Sequence, residues 1–248
     1  MKCLILAAGY ATRLYPLTEN FPKPLLKVGD KTILDWLIDD LEQTGLIDEY
    51  IVVTNHKFAH IFEEWSQGRY TIIDDGTIDN DHRLGAVKDI ELVIHGVDGK
   101  SSGGGIQSDL LVMAGDNLLD FSLKGFLDYA REKGTTCIMR YFEPNDARLH
   151  KCGVVEVDAT DRILTMEEKP TQPKSHWCCP PFYYYKKEDL QLVSQGIAEG
   201  CGTDAPGSFI AWLCSRTAVH AWEMPGPRYD IGSLESYEAV KKIFEKMS

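Results

Sequence analysis

The sequence predicts an α/β protein built on a mixed, mainly parallel central sheet flanked by helices. Three observations lead there. Cys3-Leu4-Ile5-Leu6-Ala7-Ala8 is an uninterrupted apolar run that stops at Gly9, the pattern of a strand buried on both faces that opens into a loop. Short apolar runs then alternate with segments of helical period, the order that right-handed parallel crossovers produce. A later run, Asp109 to Ala114, ends at Gly115-Asp116-Asn117, and α/β folds place ligands at the carboxyl ends of central strands.

The elements follow in order. Ile33 to Thr44 sets Ile33, Leu34, Leu37, Ile38 and Leu41 on one helical face, with Gly45 as the stop. Tyr50 to Thr54 reads as a strand, His56 to Trp65 as a helix and Tyr70 to Ile73 as a third strand. Asp79 to Arg83 is turn-like, Leu84 to His95 is helical, and Lys100-Ser101-Ser102-Gly103-Gly104-Gly105 is a linker turn. After a helix at Leu123 to Arg131, strands at Thr135 to Tyr141, Gly153 to Val157 and Ile163 to Met166 follow without long helices, so the second half reads as mixed β. Lys169 to Pro173 and Cys178 to Pro181 are Pro-rich bends. Phe182 to Tyr185 carries a strand whose alternation buries half its aromatics in the core, and Asp189 to Glu199, Ser208 to Ser215 and Leu234 to Met247 are helices. With no internal repeat and no domain linker, residues 1–248 read as one domain.

Twenty-six Lys and Arg against 38 Asp and Glu give a formal charge of −12, which leaves no global positive field to hold a nucleic-acid backbone. A local group of cations and backbone N–H groups still suits a small anion. Seven cysteines in no CxxC spacing read as reduced, packed thiols of a cytoplasmic protein. His56 and His60 are four apart, but no Glu follows His56 as an HExxH zinc site requires. No apolar run is long enough for a membrane span or a signal-peptide core, so no membrane association is expected.

The chemistry concentrates in Leu6-Ala7-Ala8-Gly9-Tyr10-Ala11-Thr12-Arg13-Leu14-Tyr15-Pro16-Leu17-Thr18, followed by Pro22-Lys23-Pro24-Leu25. A loop of small residues directly after a strand lets backbone N–H groups approach a phosphate, and Arg13 and Lys23 add positive charge. This is a triphosphate-binding design, yet it is neither a P-loop nor a GxGxxG fingerprint.

That segment resembles the LAGGxGTRLxPLT…PKP signature of the sugar-1-phosphate nucleotidyltransferases, especially the glucose-1-phosphate thymidylyltransferase type. Three further motifs stand in the family's order: Gly115-Asp116-Asn117; Gly153-Val154-Val155 with Ile163 and Glu167-Glu168-Lys169-Pro170; and Arg228-Tyr229-Asp230-Ile231-Gly232-Ser233 for WxDIGT. The resemblance implies a Rossmann-like, GT-A-like fold with a nucleotide-binding half at about residues 1–120 and a sugar-phosphate half at about 121–248. It implies a Mg2+ ion held by Asp116 and Asp230, with Arg13, Lys23 and Asp116 as catalytic residues. The nucleotide is assigned to Ala7, Ala8, Gly9, Tyr10, Ala11, Thr12, Arg13, Gly85 and Asp116. The sugar phosphate is assigned to Lys23, Gly153, Glu168, Lys169 and Asp230. The substrates implied are a nucleoside triphosphate and a sugar 1-phosphate, and a homo-oligomer is compatible with the pattern.

The chain departs from that pattern at several points. Ala8 and Ala11 replace glycines, and at Ala11 this restricts φ. Trp177-Cys178-Cys179-Pro180-Pro181 stands where relatives carry small residues, with Cys178 and Cys179 as packing groups. The family's base-reading glutamine is not evident. Asp204-Ala205-Pro206-Gly207 and Trp212 are expected to border the acceptor. Because the chain ends soon after Tyr237, a single-function enzyme without an acyltransferase extension or an allosteric site is expected. Three alternatives remain open: a CTP-dependent cytidylyltransferase acting on phosphocholine or a phosphonate, a nucleotide-sugar glycosyltransferase, and a non-catalytic nucleotide sensor. The glycosyltransferase normally needs a DxD that is missing after Asp116, and the sensor would be expected to have lost Arg13, Lys23, Asp116 or Asp230.

Overall fold

A computed structural model describes residues 1–95 and 106–244. Its strands are β1 (Lys2–Leu6), β2 (Lys27–Val28), β3 (Lys31–Thr32), β4 (Glu49–Thr54), β5 (Thr71–Asp74), β6 (Leu110–Ala114), β7 (Asn117–Leu119), β8 (Thr136–Phe142), β9 (Gly153–Val157), β10 (Ile163–Glu168), β11 (Trp177–Cys179), β12 (Phe182–Tyr185), β13 (Val219–Glu223) and β14 (Arg228–Asp230). Its helices are α1 (Ile33–Thr44), α2 (Ala59–Ser66), α3 (Ala86–His95), α4 (Lys124–Lys133), α5 (Asp146–Leu149), α6 (Lys187–Leu190), α7 (Val193–Ala198), α8 (Gly207–Leu213) and α9 (Leu234–Phe244). The turn expected at Lys100–Gly105 and the last residues of the terminal helix lie outside the described residues.

Two compact units share the chain. One takes Cys3–Arg83, Ala114–Lys124 and the chain from Pro225; the other takes Met1–Lys2, Leu84–Met113 and Gly125–Met224. Neither is a continuous half of the sequence. Strand pairing decides this, because β14 returns from late in the chain to pair with β7.

In the first unit β1 neighbours β4, and β4 runs parallel to β5. Helix α1 starts in a capping box, where Thr32 Oγ1 accepts from Asp35 N and Asp35 Oδ2 accepts from Thr32 N. It ends at Gly45 with φ 64°, the left-handed stop that its sequence predicts. Its apolar face, Ile33 to Leu41, is buried. Leu14, Leu26, Val28, Ile33, Leu118, Ile231, Tyr237, Val240 and Phe244 form one buried cluster, which ties the loops after β1 and β14 to α9.

In the second unit β12 lies antiparallel to β6 and β8, and β11 antiparallel to β8 and β9. β10 pairs antiparallel with β9, and only β13 among these pairs runs parallel, to β8. The expected bend at Cys178–Pro181 begins instead in strand β11, because Cys178 pairs with both Tyr141 and Val154. Tyr183, Tyr184 and Tyr185 are all buried, rather than half of them, since β12 has a strand on each side and packing on both faces. The helix expected over Asp189–Glu199 is two short helices, α6 and α7. All seven cysteines are free, five of them buried, and burial pushes the Cys137 thiol up to about 11.

Candidate functional site

The loop leaving β1 is held through hydrogen bonds to its backbone. Ala7 N donates to Val53 O at 2.9 Å, Asn55 Nδ2 to Ala8 O at 3.0 Å, and the buried Thr18 Oγ1 to Ala11 O at 2.8 Å. Ala11 sits in the left-handed region at φ 47° and ψ 40°, where a side chain costs about 1–2 kcal/mol. The bond from Thr18 and that from Leu14 N (2.9 Å) brace this turn and offset the cost. Tyr10 is buried, and its hydroxyl donates to Thr77 O at 3.0 Å.

Within the same unit a cavity of about 190 Å³ is lined by Ala7, Gly9, Ala11, Arg13, Lys23 and Asp116, together with Ile231 and Gly232 beside Asp230. Ala8, Tyr10 and Thr12 belong to the loop without lining the cavity. The Lys23 side chain, 8% exposed, places Nζ 2.8 Å from Asp116 Oδ2 and 3.9 Å from Asp230 Oδ1. A nearly buried ammonium is tolerated because two carboxylates compensate it. The other oxygen of Asp116 accepts from Asn117 Nδ2 at 2.7 Å, and Arg228 donates to Asn117 Oδ1.

The donor set fits a hard divalent cation. Asp116 and Asp230 converge on one ammonium, so their oxygens face a common point, and Mg2+ takes one or two carboxylates with phosphate oxygens and water completing its shell. Among the described residues no group of three or more His, Cys, Asp or Glu could hold a metal. A cation here would therefore depend on substrate oxygens.

The remaining expected residues lie in the other unit. Glu168 ends β10 opposite Gly153 in the ladder. A Cβ at Gly153 would stand 3.0 Å from Glu168 Oε1, and a Cβ at Gly207 only 1.9 Å from it. The carboxylate thus occupies space that two glycines leave free. Burial pushes the Glu168 carboxyl above its ordinary value, opposed by the neighbouring Lys169 ammonium. Lys169 has φ 50°, its N–H donates to Cys152 O at 2.9 Å, and its Nζ lies 3.8 Å from Asp204 Oδ2. Gly85 has φ 92°, and an added Cβ would meet Thr203 O at 2.5 Å. Its requirement for glycine comes both from that positive φ and from packing on Thr203.

The structure places Arg13, Lys23, Asp116 and Asp230 in one unit, and Gly85, Gly153, Glu168 and Lys169 in the other. The sequence assigns no role to Asn117, Arg228, Thr18 or Asn55, and it names Gly207 only as a border of the acceptor, not as the residue that leaves room for Glu168. Asn117 was visible as the neighbour of Asp116, whereas the others act through contacts that no spacing announces.

Fold and site together define a protein of mixed α/β architecture with a small-residue loop, two cations and Asp116 gathered at one cavity, and Asp230 beside it. The chain belongs to the nucleotidyl transferase family, whose model matches residues 2–246. It is similar to the bifunctional protein GlmU of Methanocaldococcus jannaschii, 26% identical over all of this chain and 55% of that protein. It is also similar to glucose-1-phosphate thymidylyltransferase of Mycobacterium tuberculosis, 28% identical over 84% of this chain and 67% of that one. The chain therefore spans between about half and two thirds of the length of these curated relatives. Among solved structures, UDP-glucose pyrophosphorylase complexed with UDP-glucose aligns over 100% of this chain and 99% of its own, with a TM-score of 0.78 and 19% identity, which shows the shared fold. No described helix is long and apolar enough to cross a membrane.

Proposed function

We propose that this protein is a Mg2+-dependent sugar-1-phosphate nucleotidyltransferase, joining a nucleoside triphosphate and a sugar 1-phosphate into a nucleotide sugar with release of pyrophosphate. The observation that carries the reading is the Lys23 ammonium between Asp116 and Asp230, in a cavity walled by the Ala7–Arg13 loop. Family membership and the names of the relatives support the reaction class.

The attacking phosphate oxygen is already anionic at neutral pH, so no general base is needed. The barrier lies in bringing two anions together and in the charge that gathers on the leaving pyrophosphate. Arg13 stabilises that leaving charge, and Lys23 neutralises the α-phosphate and the incoming phosphate. Asp116 and Asp230 would hold Mg2+, which when bound supplies further charge neutralisation to the triphosphate. Lys169 holds the sugar phosphate, Glu168 accepts hydrogen bonds from sugar hydroxyls, and Gly153 leaves the carboxylate its room.

A choline acceptor would need an exposed aromatic cage. The tyrosine run offers none: all three residues are buried, and Tyr184 donates to Asp109 Oδ2 at 2.7 Å. The sugar is therefore the favoured acceptor. The test is pyrophosphate release with Mg2+ across the five common nucleoside triphosphates, against a panel of sugar 1-phosphates plus phosphocholine. One strong sugar pair establishes the reading, turnover of phosphocholine alone replaces the acceptor, and no release with any pair removes the reaction.

A further inference from the structure

Asn117 and Arg228 form a hydrogen-bonded chain behind the carboxylate pair. In the antiparallel pairing of β7 with β14, Asp230 stands opposite Asn117 and Arg228 opposite Leu119. The two-residue period of a strand puts Arg228 and Asp230 on one face, and the pairing puts the Asn117 side chain on that face too. Asn117 is 2% exposed; its Nδ2 donates to Asp116 Oδ1 at 2.7 Å, and its Oδ1 accepts from Arg228 Nη1. Arg228 Nη1 also lies 4.0 Å from Asp230 Oδ2, and Lys23 closes the ring by facing both carboxylates.

A buried asparagine amide can be turned either way, and a half-turn exchanges its donor and acceptor ends. Here the choice is forced. A guanidinium carries donors only, so the end of Asn117 that meets Arg228 must be the carbonyl, and the NH2 end must meet Asp116. Were the amide reversed, two oxygens would face each other at Asp116 and two donors at Arg228. We propose that Arg228, acting through Asn117, is a positioning device for the metal-binding carboxylates: it engages Oδ1 of Asp116 and leaves Oδ2 aimed at the point shared with Asp230. This rests on the metal role given above to Asp116 and Asp230.

The experiment is a Mn2+ titration of the whole protein followed by electron paramagnetic resonance, alongside the Mg2+ activation constant in pyrophosphate release and the Tm. Arg228→Met and Asn117→Ser are expected to weaken Mn2+ binding about 10–100-fold, the range seen when groups orienting metal ligands are removed. Arg228→Lys, which keeps a donor for Asn117 Oδ1, is expected to recover most of that loss. A purely structural role would lower Tm in Arg228→Met and Asn117→Ser while leaving the Mn2+ constant within about twofold of wild type, and that result overturns the proposal. Should Arg228→Met fail to fold, Asn117→Ser tests the same link. The two readings separate cleanly. Wild-type protein that binds Mn2+ through Asp116 but releases no pyrophosphate sinks the enzymatic reading alone, whereas normal turnover with unchanged Mn2+ binding in the variants sinks the positioning device alone.

Discussion

The two units hold their candidate residues by different physics. Around Lys23 the constraint is electrostatic: an almost buried ammonium, two carboxylates, an amide and a guanidinium satisfy one another in a closed ring. Around Glu168 the constraint is steric. The carboxylate lies against Gly153 and Gly207, and its buried position raises its proton affinity. A charge network tolerates small movements but fails when a charge is removed. A shape-limited pocket fails when a methyl group is added.

Substitutions can break that contrast. The largest effect is expected from Asp116→Asn, which keeps the shape and removes the charge: turnover falls about a hundred- to a thousandfold, the scale of losing one electrostatic contributor, measured as kcat in pyrophosphate release. Near-normal turnover would remove Asp116 from the chemistry. Gly207→Ala adds one methyl group where Glu168 Oε1 already lies. It is expected to cost about 1–3 kcal/mol of stability and to raise the acceptor KM while leaving the nucleotide KM unchanged. Equal changes in both constants would show that the cradle does not act on the acceptor.

Glu168→Gln sharpens the comparison through pH. The folded state raises the carboxyl pKa by burial, so Glu168 contributes most favourably below its unfolded value, and that contribution is lost as pH rises through the folded value. The glutamine variant should therefore gain in Tm relative to wild type as pH rises from about 4 toward neutrality. Its acceptor KM should rise about tenfold with the loss of a charged hydrogen-bond acceptor. A Tm difference that does not change with pH would contradict the burial argument. The smallest effect is expected at Ala11→Gly. Relief of the left-handed side chain, set against the extra freedom of glycine in the unfolded chain, leaves a gain of about 0.5 kcal/mol, read from the denaturant midpoint.

The signature loop, Asp116 and the Glu168-Lys169 pair were legible because each lies in a short motif at the end of a strand, and Lys23 because it stands in a short Pro-Lys-Pro motif. The stop of α1 at Gly45 and the apolar runs of β1, β4 and β6 were legible for the same reason: neighbours in the chain set local conformation. The short strands β7, β11, β13 and β14 were not. Three to five residues carry too little periodicity, and they become strands only because distant segments pair with them. The contacts of Arg228 and Gly207 were hidden likewise, since these lie with Asn117 and Glu168, 111 and 39 residues away in the chain.

From the sequence alone came the family resemblance, the mixed α/β class and the residue types of the proposed chemistry, because motifs and apolar periodicity are written in adjacent residues. Tertiary structure alone decided which carboxylates share an ammonium, which way the Asn117 amide is turned and where Glu168 finds room. These depend on groups brought together by strand pairing and packing, where a difference of one hydrogen bond or one methyl group selects the arrangement.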